Sequence, residues 1–425
     1  MRAACFFALV LTTLSVSAQV TETIYQDLPP HEQIDAALDN HVSVLNAETG
    51  VKIEQVNQRK WESGNYEFNL RGGVARRELT NPNAPQIEDK QRLKEWDVAL
   101  ERPLRLINKV IIDYDLGEEV VNRASLALSD ARHEAGRTLL HLWFNWQREE
   151  IQVNQWQQQV ENLSQQALTT EKRLKAGDAP RMELSQANAA VAQANVSLQQ
   201  ARMRAELAGN ELKRQFPLIV LPLQLEPSEP QPITEDYDHW KQIILNDNHE
   251  LEMVHSERRI QQMLAKRSRA DRMPDPTVGL RFSNEMGGNE KVAGVYVSVP
   301  ISFGLRSANA ENAEYQAQIA GDRENAVQRR LESDIYAAHT QALRSYEIWI
   351  QARDAAVSIR QNTNLVARAY SLGESSLSET LIARRLALEA TLSENLLRLD
   401  SNEARYRLLL DAHQLWASDS EHGAH

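Results

Sequence analysis

The side chains of this 425-residue chain that could do chemistry include 59 acidic groups, 11 histidines and a single cysteine. His239, His249 and His255 fall in one stretch with Asp236, Asp238 and Glu250, and such a set can bind a metal ion. Their steps of 10 and 6 do not bring three imidazoles onto one helical face, whereas a metal-binding pair on a helix sits at i and i+4. His133-Glu134 reads as an exposed helix pair, and His422 and His425 lie in a polar tail. Asn195-Val196-Ser197 fits the glycosylation pattern but falls inside a helical seam. No nucleophile elbow, phosphate loop, zinc motif or dinucleotide fingerprint is present. Neither enzymatic activity nor a metal or cofactor is therefore expected. The net charge of −12 argues against nucleic acid as a partner.

Two carboxylates stand out by position instead. Glu183 in LKAGDAPRMELSQANAA and Glu379 in YSLGESSLSETLIARRL stand 196 residues apart, as do Gly177 and Gly373. Glycine is favoured where a helix ends in a left-handed turn, so each segment reads as helix, tight turn, helix. A glutamate just past such a turn sits favourably against the helix dipole. In a symmetric assembly it would also form a ring of carboxylates, and such rings favour cations.

The elements that carry these turns follow from the breakers. The chain has 16 Gly and 14 Pro, where average usage gives about 30 and about 21. No proline lies between Pro103 and Pro180 or after Pro300, while Pro217, Pro222, Pro227, Pro230 and Pro232 crowd the middle. The reading is a Pro-rich linker at 217–236, between a first repeat at 19–216 and a second at 237–418, with a polar tail at 419–425. Pro103 in ERPL and Pro300 in SVPI stand 197 residues apart, which supports duplication.

Each half reads helix, strand, strand, long helix, turn, helix. The first half opens with a helix over His31–Trp61. Strand patterns of period 2 run through Tyr66–Arg71, Trp96–Glu101, Val278–Ser283 and Val295–Ser302. The polar loops NPNAPQIEDKQ and NEMGGNEK link them in pairs. Long helices follow over about Leu106–Lys175 and about Arg306–Leu372, each roughly 100 Å at 1.5 Å per residue. In the first return helix Leu184, Ala187, Val191, Ala194, Leu198, Ala201, Ala205, Ala208 and Leu212 step by three and four without a break, a heptad seam. The second begins with Thr380, Ala383, Ala387 and Ala390 and then meets Glu394.

Arg2 precedes an apolar run from Ala3 to Val16, and Val16-Ser17-Ala18 offers small residues before a cut at Gln19. Residues 1–18 thus read as a signal peptide. Cys5 precedes that run, a poor position for a lipid anchor, and leaves with the signal. No later stretch is long and apolar enough for a spanning helix. Four amphipathic strands do not close a barrel, since eight is the usual bacterial minimum. Open sheet edges in lipid are costly. Three chains would pool 12 strands.

The chain resembles the TolC-type outer-membrane efflux factors over nearly all of its mature length. The resemblance is carried by ERPL and SVPI at the strand ends, PDPTVGL at the third strand, and the paired segments RLKAGDAPRMELSQANAAV and AYSLGESSLSETLIARRLAL. It implies a mainly helical fold in which a trimeric 12-stranded β-barrel in the outer membrane is continued by a long coiled-coil tunnel in the periplasm. It also implies passive exit of substrate through a homotrimer set in outer-membrane lipid. A periplasmic adaptor and an inner-membrane pump, expected to be proton-driven, would complete the system. By the same resemblance Arg173, Leu174, Ala176, Gly177, Ser371, Leu372, Gly373, Ser375, Ser376 and Leu377 form the tip that meets the adaptor, and acidic residues near Glu379 form the pore constriction, with Glu183 read as a second pore carboxylate from its matching position. The short loops look most like the heavy-metal-efflux branch, with metal cations as cargo. One departure is at the strand-to-helix junctions, RLI in the first half and SFG in the second. The alternatives are a periplasmic coiled-coil adaptor, disfavoured by the two hairpins, a soluble scaffold, and the channel of a protein-secretion system.

Overall fold

The computed structural model describes residues 27–64, 66–79, 91–222, 227–302 and 304–416. The expected signal peptide with Cys5, the polar tail with His422 and His425, and most of the loop NPNAPQIEDKQ lie outside the described residues.

The opening helix is two helices, α1 (His31–Asp39) and α2 (Val42–Ser63). Capping breaks them: the Asn40 amide donates to the Ala36 carbonyl at 2.8 Å. His41 is extended, and its Nδ1 accepts from the Ser43 backbone N–H. Strands β1 (Asn69–Leu79) and β2 (Gln91–Pro103) follow, then α3 (Ile107–Lys175) and α4 (Arg181–Gln215). The second half repeats this order with α5 (Tyr237–Asn246), α6 (His249–Ala270), β3 (Thr277–Glu285), β4 (Glu290–Ser298), α7 (Leu305–Ser371) and α8 (Leu377–Asp411). Helices α2 and α6 both have 22 residues, α4 and α8 both have 35, and α3 and α7 have 69 and 67.

The long helices, about 100 Å each, are too long for one partner. α3 packs on α2 near the strands, where Gly117 lies against Gln58. Farther out it packs on α4, where Arg204 donates to Glu149 at 2.9 Å. α7 does the same with α6 (Arg258 to Glu324, 2.7 Å) and α8 (Trp349 to Glu394, 3.0 Å). In the α4 seam Ala187, Ala194, Leu198, Ala201, Ala205, Ala208 and Leu212 are buried. Five of these are alanines, which let the two backbones approach. In α8, Glu394 does not interrupt the seam. It is buried, and its carboxylate accepts from the Trp349 indole N–H and from Arg398.

The core lies midway along the helices. Ile34 and Leu38 of α1, Leu139, Leu140, Trp143 and Phe144 of α3, Phe216 and Ile219, Trp240 and Ile244 of α5, and Leu399 and Leu408 of α8 meet there. The buried Asp27 carboxylate takes hydrogen bonds from Tyr406 (2.7 Å), Asn402 (3.1 Å) and Ser228 (2.9 Å), which ties the Pro-rich segment to α8.

The four strands form one antiparallel sheet in the order β1-β2-β3-β4. β1 starts at Asn69 rather than Tyr66, because the Tyr66 hydroxyl turns away to donate to Asp275 at 3.0 Å. β4 ends at Ser298 rather than Ser302. Among the described residues no helix is long and apolar enough to cross a membrane.

Candidate functional site

Strand alternation and register give the sheet two unlike faces. On one face Leu70, Leu100, Leu280 and Val295 make a cross-strand row, and the next row is Gly72, Val98, Phe282 and Ala293. Val278 and Val297 lie on one side of these rows, Val74 and Trp96 on the other. The apolar band spans about 20 Å along the strands at 3.4 Å per residue. Its side chains are largely open: Leu70 is 74% exposed, Val74 88% and Val295 71%. The opposite face carries Arg71, Arg77, Glu95, Asp97, Glu101, Arg281, Ser283, Glu285 and Tyr296. Most of its charges are paired: Arg77 with Glu95 at 2.8 Å and Arg281 with Asp97 at 3.9 Å, while the Tyr296 hydroxyl donates to Glu101. Among the described residues both outer strands, β1 and β4, have free edges.

Where strands pass into helices, the two junctions differ as RLI and SFG suggest. Arg105 of the first donates to the Trp61 and Glu62 carbonyls and to Asp113. The second turns at Gly304, whose φ of +85° is left-handed. Behind the first junction Lys109 is fully buried, with its ammonium 2.9 Å from Asp271 and 3.0 Å from Asp275. Burial pushes Asp271 up, but hydrogen bonds from Arg267 and Lys109 outweigh it and hold the carboxyl below its usual range. Sequence reading missed this cluster, since its members come from α3 and the end of α6.

At the far end, the two hairpin turns share one construction. Gly177 has φ +80° and Gly373 φ +78°. The Asp178 N–H reaches the Arg173 carbonyl (2.8 Å) and the Glu374 N–H the Ala369 carbonyl (2.9 Å), each closing the last helical turn. An L side chain is strained at these φ values. Leu372 is exposed, Leu174 half-buried, and the Ser371 hydroxyl bonds the Arg368 carbonyl.

The expected tip residues divide into two groups. Arg173 and Glu183 meet at Tyr370. The Arg173 guanidinium donates to the Tyr370 hydroxyl at 2.8 Å and stacks over its ring, and that hydroxyl lies 3.2 Å from the Glu183 carboxylate. Burial and the Glu183 charge push the Tyr370 phenol up. Glu379 stands apart in a capping box, where Ser376 caps α8 and the Glu379 carboxylate accepts from the Ser376 N–H (2.9 Å) and the Ser375 hydroxyl (2.6 Å). These bonds hold the Glu379 carboxyl below its usual range. The S-x-x-E pattern at 376–379 signals such a box. Tyr370 was not anticipated, since nothing local tells a tyrosine that it faces the other hairpin.

The histidines do not converge as a stretch. His239 lies beside Trp240, His255 pairs with Glu324 at 3.2 Å, and His249 packs against His133 and His413. His133 is not an exposed helix residue: its side chain is 11% exposed, because α3 turns it toward Asp411 at the end of α8. Among the described residues no group of His, Cys, Asp or Glu is arranged to hold a metal ion.

No family model matches the chain, and no curated protein matches it. Solved structures do. The Campylobacter jejuni CmeC outer membrane channel is 14% identical and superposes with a TM-score of 0.74, covering 99% of this chain and 96% of that one. The outer membrane protein VceC of Vibrio cholerae is 15% identical, TM-score 0.67, covering 91% and 95%. CusC, described for conformational changes accompanying folding and transmembrane channel formation, is 15% identical, TM-score 0.67, covering 91% of both. The fold is thus that of the TolC-type outer-membrane channels, a small strand set continued by long helical hairpins.

Proposed function

We propose that this protein is the outer-membrane channel subunit of a tripartite efflux system and works as a homotrimer. The observation that carries this reading is the sheet: one uncovered apolar face, one charged face, and two free edges, mounted on helices about 100 Å long. An unpaired edge in hydrocarbon costs several kcal/mol per backbone group. Closing edge on edge with two further copies gives 12 strands, an apolar wall toward lipid and a polar lumen. The helices then continue the lumen through the periplasm.

In this reading the repeats 19–216 and 237–418, joined by the linker 217–236, supply equal halves of each subunit's wall. Arg173, Leu174, Gly177, Ser371, Leu372, Gly373 and Ser375 lie at the tip and meet a periplasmic adaptor, which links the channel to a proton-driven inner-membrane pump. Glu379 and Glu183 ring the constriction. The bonds from Ser375 and Ser376 hold the Glu379 carboxyl below its usual range, and a ring of carboxylates suits a cation filter. The channel itself does no chemistry; the pump supplies the energy. Metal cations are the narrower proposal for the cargo, tested by comparing metal and organic-toxin sensitivity in a deletion strain.

The channel reading is tested in planar bilayers. Purified protein is expected to insert and conduct in discrete steps. A protein that neither inserts nor conducts would overturn it.

A further inference from the structure

The apolar face ends abruptly at the hairpin end of the sheet. Beyond Val74 and Trp96 the next pair on the same face is Arg76 opposite Lys94, and Lys291 lies in the Trp96 row next to Asn284. All three cations are exposed, and none has a carboxylate within ion-pair distance among the described residues. The neighbouring Arg92 differs, because Glu78 neutralises it at 3.0 Å. Like charges directly opposite on antiparallel strands repel and destabilise the pair. Such a pair on the lipid side of a membrane strand calls for a counter-charge, and no described residue supplies one.

We propose that Arg76, Lys94 and Lys291 form an outward-facing site for the phosphate groups of membrane lipid headgroups, repeated three times around the barrel. This rests on the membrane reading above and deepens it. The hairpin end is remote from the helices, so with the helices in the periplasm the patch faces the outer leaflet. Its position fits a headgroup: Lys291 stands at the edge of the last apolar row and Arg76 and Lys94 lie one row past it, at the level where acyl chains end. A basic residue near an anionic lipid surface gains about fivefold in affinity. The charges face away from the lumen, so they do not select cargo.

The test uses Trp96, the one tryptophan among the strands. The intact trimer is reconstituted in phosphatidylcholine bilayers, and Trp96 fluorescence is quenched with brominated phosphatidylglycerol or brominated phosphatidylcholine. The wild type is expected to prefer the anionic lipid, and Arg76→Gln with Lys94→Gln and Lys291→Gln to lose that preference, about fivefold per cation removed. Lys94→Arg is expected to keep it. Equal preference in the wild type and the triple variant would overturn the proposal. So would abolition of the preference by inorganic phosphate, which would mark a free-anion site. If no brominated lipid quenches Trp96, the membrane placement itself fails.

Discussion

The Tyr370 hydroxyl at the end of α7 lies 3.2 Å from the Glu183 carboxylate in the first turn of α4. Arg173 of α3 donates to the same hydroxyl at 2.8 Å. One phenol therefore joins the two hairpins at their tips. Tyr370→Phe removes both bonds and keeps the ring. The expected loss is about 1 kcal/mol, roughly a fivefold shift toward separated tips. Spin labels on α4 and α7 should report a broader distance distribution and bilayer recordings a higher conductance. Unchanged distances would show that the phenol does not hold the tips.

The turn at Gly373 has a second requirement besides its left-handed φ: its N–H donates to the Tyr370 carbonyl at 3.1 Å. Gly373→Pro removes the donor and forces φ to about −65°. The core is far from this turn, so trimer yield is expected to stay near wild type while efflux is lost. Normal toxin resistance in cells carrying this variant would separate the tip from adaptor docking.

Glu394 offers a test of the α7–α8 seam. Its carboxylate is buried and accepts from Trp349. Glu394→Ala leaves the indole N–H without that partner and opens a gap, so thermal unfolding should reveal a loss of about 2 kcal/mol. Glu394→Gln retains an acceptor and should lose less. Equal effects from both variants would mean that the negative charge, which also accepts from Arg398, matters there rather than the indole bond.

Acid should loosen the contact between α3 and the end of α8. Burial pushes Asp411 up, but the His133 hydrogen bond and the charges of Arg137 and Arg407 outweigh it and hold the carboxyl at about 2. Burial holds His133 below the usual 6.5, against the pull of Asp411. The rings of His249 and His413 and the partly buried Asp130 complete this neighbourhood. Both folded values lie below the unfolded ones, so both groups stabilise the fold at higher pH. The His133 contribution fades as pH falls below about 6.5, and that of Asp411 as pH falls from about 3.8 towards 2. Melting temperature against pH should therefore drop in acid, with the upper step missing in His133→Gln. An upper step that persists in that variant would assign it elsewhere.

Periodicity made much of this fold legible. The alanine-rich seam of α4, the strand alternation and the two tip glycines each report what a residue needs locally, and local needs leave a pattern. The break at Asn40–His41 was missed because both residues fit a helix until their side chains cap its ends. Glu394 looked like an interruption because its partner, Trp349, lies 45 residues away on another helix. Lys109 and Tyr370 were invisible for the same reason, since their partners are 162 to 197 residues distant. Hydrogen-bond partners at such separations depend on packing, which no local spacing records.

The proposed channel exists only if three copies close one barrel. Native mass spectrometry of protein extracted from the outer-membrane fraction tests it most directly. A species of three chains that survives mild detergent is expected. A single chain recovered from the soluble periplasm would contradict it.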